Sequence, residues 1–334
     1  MAGEDSVRPS RDGDQFHYYW AARRCLRLLP PDTDLVAISI EGPAVPDGNA
    51  VRDGSKSIDV AEYYGSTDPA TATLINYVQL KHSSVREDEE WIASTITETL
   101  QDFGKRYVAL VAKFGVADVA KRFRFEFVTN RPFAASLETG MEQLRSDHVG
   151  ARGKAAAHAM RIDVSIASGL AEILTLTGRT QRYLEQRTLL HDDLSGFLPE
   201  ADRDASLQMK NLVEQRATSE FSNRPEITRI DILKALGTDS RDLYPAPSLI
   251  ELPAQIVPRI QLSELTERIV SGGSLCVISA DAGVGKSVLS TQIGSQLPAG
   301  SATFVYDCFG NGAYRSASGY RHRCPSPPRR AGPC

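Results

Sequence analysis

The chain has 334 residues, enough for two domains. Hydrophobic residues make up 41% and charged residues 24%, which is ordinary for a soluble globular protein. The formal net charge of −4 excludes a bulk polycation, so any contact with nucleic acid has to come from local basic groups.

The first residues, "MAGEDSVRPSRDGDQ", have no apolar core and do not form a signal peptide; residues 1–12 are expected to be a disordered lead. "GDQFHYYWAARRCLRLL" then places Phe16, Tyr19, Trp20, Cys25, Leu26 and Leu29 at near-helical spacing, with Asp12 or Asp14 as the cap. "LVAISIEG" is a β-branched strand ending in Glu41, and "PAVPDGNAVRDGSK" a loop by its Pro, Gly, Asn and Asp. "SIDVAEYYG" is a second strand and "LINYVQLK" a third. Ser84 and Glu87 spell a capping box, which predicts a helix carrying Trp91, Ile92, Ile96, Leu100 and Phe103 on one face.

Further on, "RFEFVTN" (124–130) is a strand. Residues 134–238 read as mainly helical, with helices near 151–163, 168–189 and 226–236. A Pro-containing linker, "YPAPSLIELPAQIVP", leads to a helix ("LSELTERIVSG"), a strand ("SLCVIS"), a Gly-rich loop, the helix "VLSTQIGSQL" and a strand ("ATFVYDCF"). The last residues, "RCPSPPRRAGPC", have no periodicity and four prolines, so they bury no face. Five scattered cysteines (Cys25, Cys276, Cys308, Cys324, Cys334) make no CxxC pair, which argues against a zinc site or a disulfide framework and for a reducing cytoplasm. No apolar run approaches the roughly 18 residues of a membrane span, so no membrane partner is expected.

The third strand poses a question of chemistry. Alternation puts Ile75, Tyr77, Gln79 and Lys81 on one face, so an amide and an ammonium share the end of an otherwise buried strand. Asp59 lies in the preceding strand and Glu41 ends the one before. Mg²⁺ takes oxygen ligands and is usually held by one or two carboxylates with retained waters. Glu41 and Asp59 supply carboxylates; Gln79 supplies a carbonyl or orients the ion's shell. Lys81 is placed to support an attacking water or charge developing on a phosphate. Glu41 has an alternative use as a partner for a loop. Glu62 and His82 point to the opposite faces and are left out. Asn130 and Arg131 are either phosphate contacts or a plain strand exit, and "KRFR" (121–124) is a backbone contact or, more simply, a solvated charge run.

The order Glu, Asp, Gln-x-Lys on helix–strand–strand–strand–helix resembles the PD-(D/E)xK restriction-endonuclease superfamily, in its variant with Gln for the second acid. With "GDQFHYYWAARRCLRLL", "ISIEG", "SIDVAEYYG", "YVQLKHS" and "FEFVTNRP", residues 10 to about 215 resemble the N-terminal DNA endonuclease domain of the CD-NTase-associated effector (Cap-four-like) type, found in bacterial anti-phage proteins. The resemblance implies an α/β fold with a restriction-endonuclease-like core, a mixed sheet flanked by helices with a helical extension, over residues 13–215. It also implies DNA as substrate and Mg²⁺ held by Glu41, Asp59 and Gln79.

"ADAGVGKS" (280–287) fits a Walker A loop with Ala280 at the first Gly. Gly283 and Gly285 let backbone N–H groups face phosphates, Lys286 reaches the β/γ-phosphates and Ser287 holds Mg²⁺, which predicts ATP as a ligand. Joined to an upstream nuclease, the stretch resembles the start of the NTPase module of antiviral STAND proteins, which implies a homo-oligomer triggered by a phage protein. Residues 216–255 are then helix and linker, 256–323 an incomplete P-loop NTPase α/β segment with no Walker B acid, and 324–334 an unpatterned tail. Nucleotide binding by so short a segment is in doubt. Two other readings stay open: an ATP-binding signalling module that does not cut, and an inactive remnant.

Overall fold

The computed structural model describes residues 7–198, 203–240, 243, 256, 259–272, 276–281, 283–298 and 300–301. The chain divides into two compact units, residues 1–194 with 201–243, and residues 195–200 with 244–334. The first holds a mixed six-stranded sheet in the order β5-β4-β3-β2-β1-β6. Its strands are β1 (Leu35–Ile40), β2 (Val60–Tyr64), β3 (Leu74–Lys81), β4 (Phe123–Thr129), β5 (Leu174–Thr177) and β6 (Glu226–Ile227). β1, β2 and β3 form an antiparallel meander; β3, β4 and β5 run parallel; β6 pairs antiparallel with the outer side of β1.

Parallel neighbours need crossovers, and helices supply them. α1 (Val7–Cys25) precedes β1, and α2 (Val45–Ala50) sits between β1 and β2. α3 (Thr97–Phe114) and α4 (Val116–Arg122) carry the chain from β3 to β4. α5 (Ala135–Arg145), α6 (Ala151–Met160) and α7 (Val164–Ile173) carry it to β5. α8 (Tyr183–Ser195), α9 (Arg203–Arg216) and α10 (Arg229–Ala235) follow. One sheet face is built from alternate residues of β3 and β4. Ile75, Tyr77, Phe123, Phe125 and Phe127 bury against Leu100, Phe103, Tyr107 and Leu110, which recur at helical spacing along α3. Each such side chain contributes roughly 1.5–3 kcal/mol by leaving water.

Two polar clusters, one fully buried and one partly exposed, fix what lies above and below this sheet. On the α3 side, Arg106 is fully buried. Its Nη2 donates to Asp47 Oδ1 at 2.6 Å and to Tyr77 Oη at 3.0 Å, and its Nη1 to the Val51 carbonyl at 2.8 Å. Tyr63 and Tyr77 hydroxyls both donate to Asp47 Oδ2. Burial pushes the Asp47 carboxyl above its ordinary range, and Arg106 and the two tyrosines oppose it. The cluster ties α2 and the loop after it to the sheet. On the α1 side, Arg24 spans Glu62 of β2 and Glu126 of β4, and Arg27 adds a second cation on Glu62. This accounts for Glu62: it lies opposite Asp59 and serves packing.

Several elements differ from the sequence expectation. The first helix begins at Val7, so residues 7–12 are not a disordered lead, and Asp12 and Asp14 lie inside the helix rather than capping it. The segment after Lys81 is not a helix until Thr97, so the Ser84/Glu87 capping box does not form and Trp91, Ile92 and Ile96 precede the helix. α2 lies inside the expected loop. The helix expected over 168–189 is broken by β5, because the open edge of β4 takes Leu174–Thr177 as a parallel partner. The helix expected from 226 starts at Arg229 after β6, with Thr228 and Asp231 forming a reciprocal capping box.

In the second unit, α11 (Ile260–Val270) and α12 (Lys286–Gln296) match the two expected helices. Residues 276–279 of the expected strand "SLCVIS" are described and join no strand ladder. Residues 274–275, the expected strand 302–309 and the tail lie outside the described residues, as do residues 1–6. Among the described residues, no helix is long and apolar enough to cross a membrane.

Candidate active site

The register of the meander builds a row of side chains at one end of the sheet. Ile40 pairs with Val60 and Val60 with Val78. One residue further, the Glu41 N–H donates to the Asp59 carbonyl at 2.7 Å, and the Asp59 N–H to the Val78 carbonyl at 3.0 Å. Continued antiparallel pairing sets Glu41, Asp59 and Gln79 side by side, on strands spaced about 4.8 Å apart. Lys81, two residues beyond Gln79, lies on the same face and is exposed. Of the four sequence candidates, three thus occupy one lateral row and the fourth lies one pleat away.

The site's hydrogen bonds are specific. Asp59 Oδ2 accepts the Leu80 backbone N–H at 2.6 Å and the Gln79 side-chain Nε2. Gln79 is buried and also donates to the Leu80 carbonyl at 3.3 Å. Glu41 sits just past β1 with φ of 55°, a left-handed backbone that a non-glycine residue adopts at a cost of about 1 kcal/mol or more.

Burial dominates the electrostatics of the two acids. It pushes Asp59 up to about 6, against the pull of the Leu80 N–H, Lys81 and Gln79. Glu41 keeps an exposed edge, yet the atoms packed around its carboxyl, then Asp59 and Asp14, push it up to about 7. A pair of desolvated, mutually repelling carboxylates is what a divalent cation relieves. Among the described residues no three His, Cys, Asp or Glu side chains converge as a ready metal cage. Glu41, Asp59 and Gln79 offer oxygen donors, the ligand type that a hard divalent cation such as Mg²⁺ takes.

Three residues of α1 also reach the site, and the sequence reading gave none of them that role. Asp14, His17 and Tyr18 stand at i, i+3 and i+4, on one helix face. Burial first and then Lys81 push His17 down to about 4, so the imidazole beside that ammonium is neutral. Tyr18 is raised by burial and by the carboxylates of Asp14, Glu214 and Glu41. The available signal was the spacing itself, hidden because Phe16, Tyr19 and Trp20 set the apolar pattern on which the helix was recognised. α9 adds Lys210, whose Nζ meets Glu214 Oε2 at 2.5 Å and lies 5.5 Å from the Tyr18 ring centre.

The remaining candidates have structural partners. Asn130 exchanges two hydrogen bonds with the Ser83 backbone. Arg131 is buried, donates to the Glu89 carbonyl at 2.6 Å and stacks 3.9 Å from the Trp91 ring centre. Both hold the loop after Lys81 against β4. Arg122 pairs with Asp118 and donates to the Pro69 and Ala72 carbonyls, and Arg124 donates to the Ala120 and Phe123 carbonyls. His82 stacks on Phe16 at 4.8 Å.

In the second unit, Gly283 and Gly285 take φ of 80° and 84°, the left-handed values that explain glycine at those positions. Lys286 opens α12, and its Nζ donates to the Ala280 and Asp281 carbonyls at 2.7 Å each. Ser287 follows in the same helix. The lysine is thus folded back onto its own loop.

No protein-family model matches the chain, and no curated protein matches it. Among solved structures, the chain is similar to the Acinetobacter baumannii Cap4 SAVED/CARF-domain containing receptor, solved with the cyclic trinucleotide 2'3'3'-cAAA. The identity is 15%, the TM-score 0.39, and the match covers 67% of this chain and 44% of that one. It is also similar to the Moraxella osloensis Cap4 SAVED/CARF-domain containing receptor, at 14% identity and a TM-score of 0.40, over 74% of this chain and 52% of that one. The chain thus spans about half the length of these structures. Correspondences this loose carry no conclusion about function.

Proposed function

We propose that the sheet unit is a Mg²⁺-dependent DNA endonuclease with a restriction-endonuclease-like core, acting as the effector of a bacterial anti-phage protein that a P-loop segment gates. The observation that carries the reading is the row Glu41–Asp59–Gln79 across three neighbouring strands, with Lys81 one pleat further. Glu41, Asp59 and Gln79 would hold the cation. Both bonds to Asp59 go to Oδ2, leaving Oδ1 for it, and Gln79 turns its Nε2 toward Asp59, leaving its amide oxygen. A bound divalent ion lowers the pKa of water and offsets phosphate charge. Lys81 is held at the end of β3, where its ammonium can hold a phosphate oxygen as the attacking water adds to phosphorus and the bridging oxygen leaves with a proton.

Supercoiled plasmid, incubated with the full chain and Mg²⁺, tests this. Cutting is expected with Mg²⁺ and not with EDTA, and Lys81→Ala and Asp59→Ala are expected to cut at least about 100-fold more slowly. Equal cutting by both variants, or none by the parent chain, overturns the assignment.

The P-loop favours a second role, nucleotide binding. Its glycines already have the required backbone, and phosphate would draw Lys286 from the two carbonyls it now holds. Titration with a fluorescent ATP analogue checks this: Lys286→Ala should lose the binding, and absence of binding by the parent chain removes the role.

A further inference from the structure

We propose that Lys210 is a phosphate-contacting residue of the DNA groove, held in reserve by Glu214; this rests on the nuclease reading above. The named acids at the site outnumber its cations. Asp14, Glu41, Asp59 and Glu214 are gathered around Tyr18 and the sheet end, where Lys81 is the ammonium supplied by the sheet. A polyanion entering there needs further positive charge. Lys210 is placed to give it. α9 packs on α1, and the Lys210 ammonium lies over the Tyr18 ring, 5.5 Å from its centre. Tyr18 is in turn four residues, one helical turn, from Asp14.

The pairing of Lys210 has the character of a holding contact. It meets Glu214 four residues further along the same helix, with lysine before glutamate, the less favourable order for a helix. Such a pair is weaker than a charge-assisted bond to phosphate. The Glu214 side chain is 45% exposed whereas Lys210 is 11% exposed, so the carboxylate can swing into solvent while the ammonium stays on the Tyr18 ring. A structural salt bridge has no need of a buried lysine facing an exposed partner.

The test is the salt dependence of DNA binding by the full chain, measured by fluorescence anisotropy on a labelled duplex with Mg²⁺, in a Lys81→Ala background whose cutting is slow on the time scale of the measurement. Lys210→Gln should weaken binding about fivefold at physiological salt and flatten the log–log salt slope by about 0.9, the signature of one lost phosphate contact. Glu214→Gln, at an exposed position, should change affinity the opposite way and leave the slope or steepen it. Lys210→Arg should restore the slope. A purely structural pair would weaken binding in both variants, or in neither, with unchanged slopes, and that result overturns the assignment. If the parent chain neither cuts plasmid nor binds DNA, the nuclease reading itself fails. If it cuts and the two variants bind like their background, only the role of Lys210 fails.

Discussion

The end of β3 and the glycine-rich loop before α12 each present a lysine, yet the two lysines are held in opposite ways. Lys81 ends a strand with partners on both sides, and the acids near it come from other strands. Lys286 is bonded to carbonyls five and six residues back in its own loop, and the described segment before it joins no ladder. A loop motif can form its geometry from nearby residues. A site spread over three strands exists only when register and packing are in place. Disturbing tertiary contacts should therefore hurt the sheet site far more than changes within the glycine-rich loop affect stability.

The sharpest way to break this contrast is Arg106→Leu. It leaves Asp47 buried without its cation, and should cost about 3–5 kcal/mol in urea denaturation followed by circular dichroism. A loss under about 1 kcal/mol would mean that the sheet is not organised by this cluster.

Acid should act next. His17 has its folded pKa pushed from 6.5 down to about 4 by burial and Lys81. The unfolded chain thus binds a proton there before the folded one does. The stabilisation is complete above pH 6.5 and is lost as pH falls toward 4. Allowing for the partial exposure of the ring, the loss should be about 2 kcal/mol, and His17→Gln should flatten that part of the stability–pH curve. An unchanged curve would place His17 in contact with water.

Arg131→Met should cost about 1–2 kcal/mol by removing the bond to the Glu89 carbonyl and the charge over Trp91. Faster protease cleavage between residues 83 and 96 should accompany it. Lys286→Ala should be the mildest change, within about 0.5 kcal/mol in the same denaturation assay, since its bonds join it to exposed carbonyls of its own loop.

Much of the local structure was legible from the chain alone. The bounds of β3, the alternation of Gln79 and Lys81 and the glycine-rich turn into α12 follow from side-chain period and from glycine's freedom at positive φ, which neighbouring residues decide. Segments with competing long-range partners were not legible. Ser84 and Glu87 have the right spacing for a cap, yet Asn130, Arg131 and Thr129 hold the segment as turns and bends, with Thr129 accepting the Trp91 indole N–H. β5 was taken for helix because the unpaired edge of β4 cannot be seen from residues 174–177 alone.

The candidate site divides along the same line. Residue type and order along the chain picked out Glu41, Asp59, Gln79 and Lys81 as candidates. Only the folded chain made them a row, because strand register depends on pairing between segments some twenty residues apart. Only packing brought Asp14, His17 and Tyr18 from α1 toward that place, and Lys210 with Glu214 from α9 to Tyr18. Local period determines which side chains share a face, whereas burial of that face determines which distant side chains meet it.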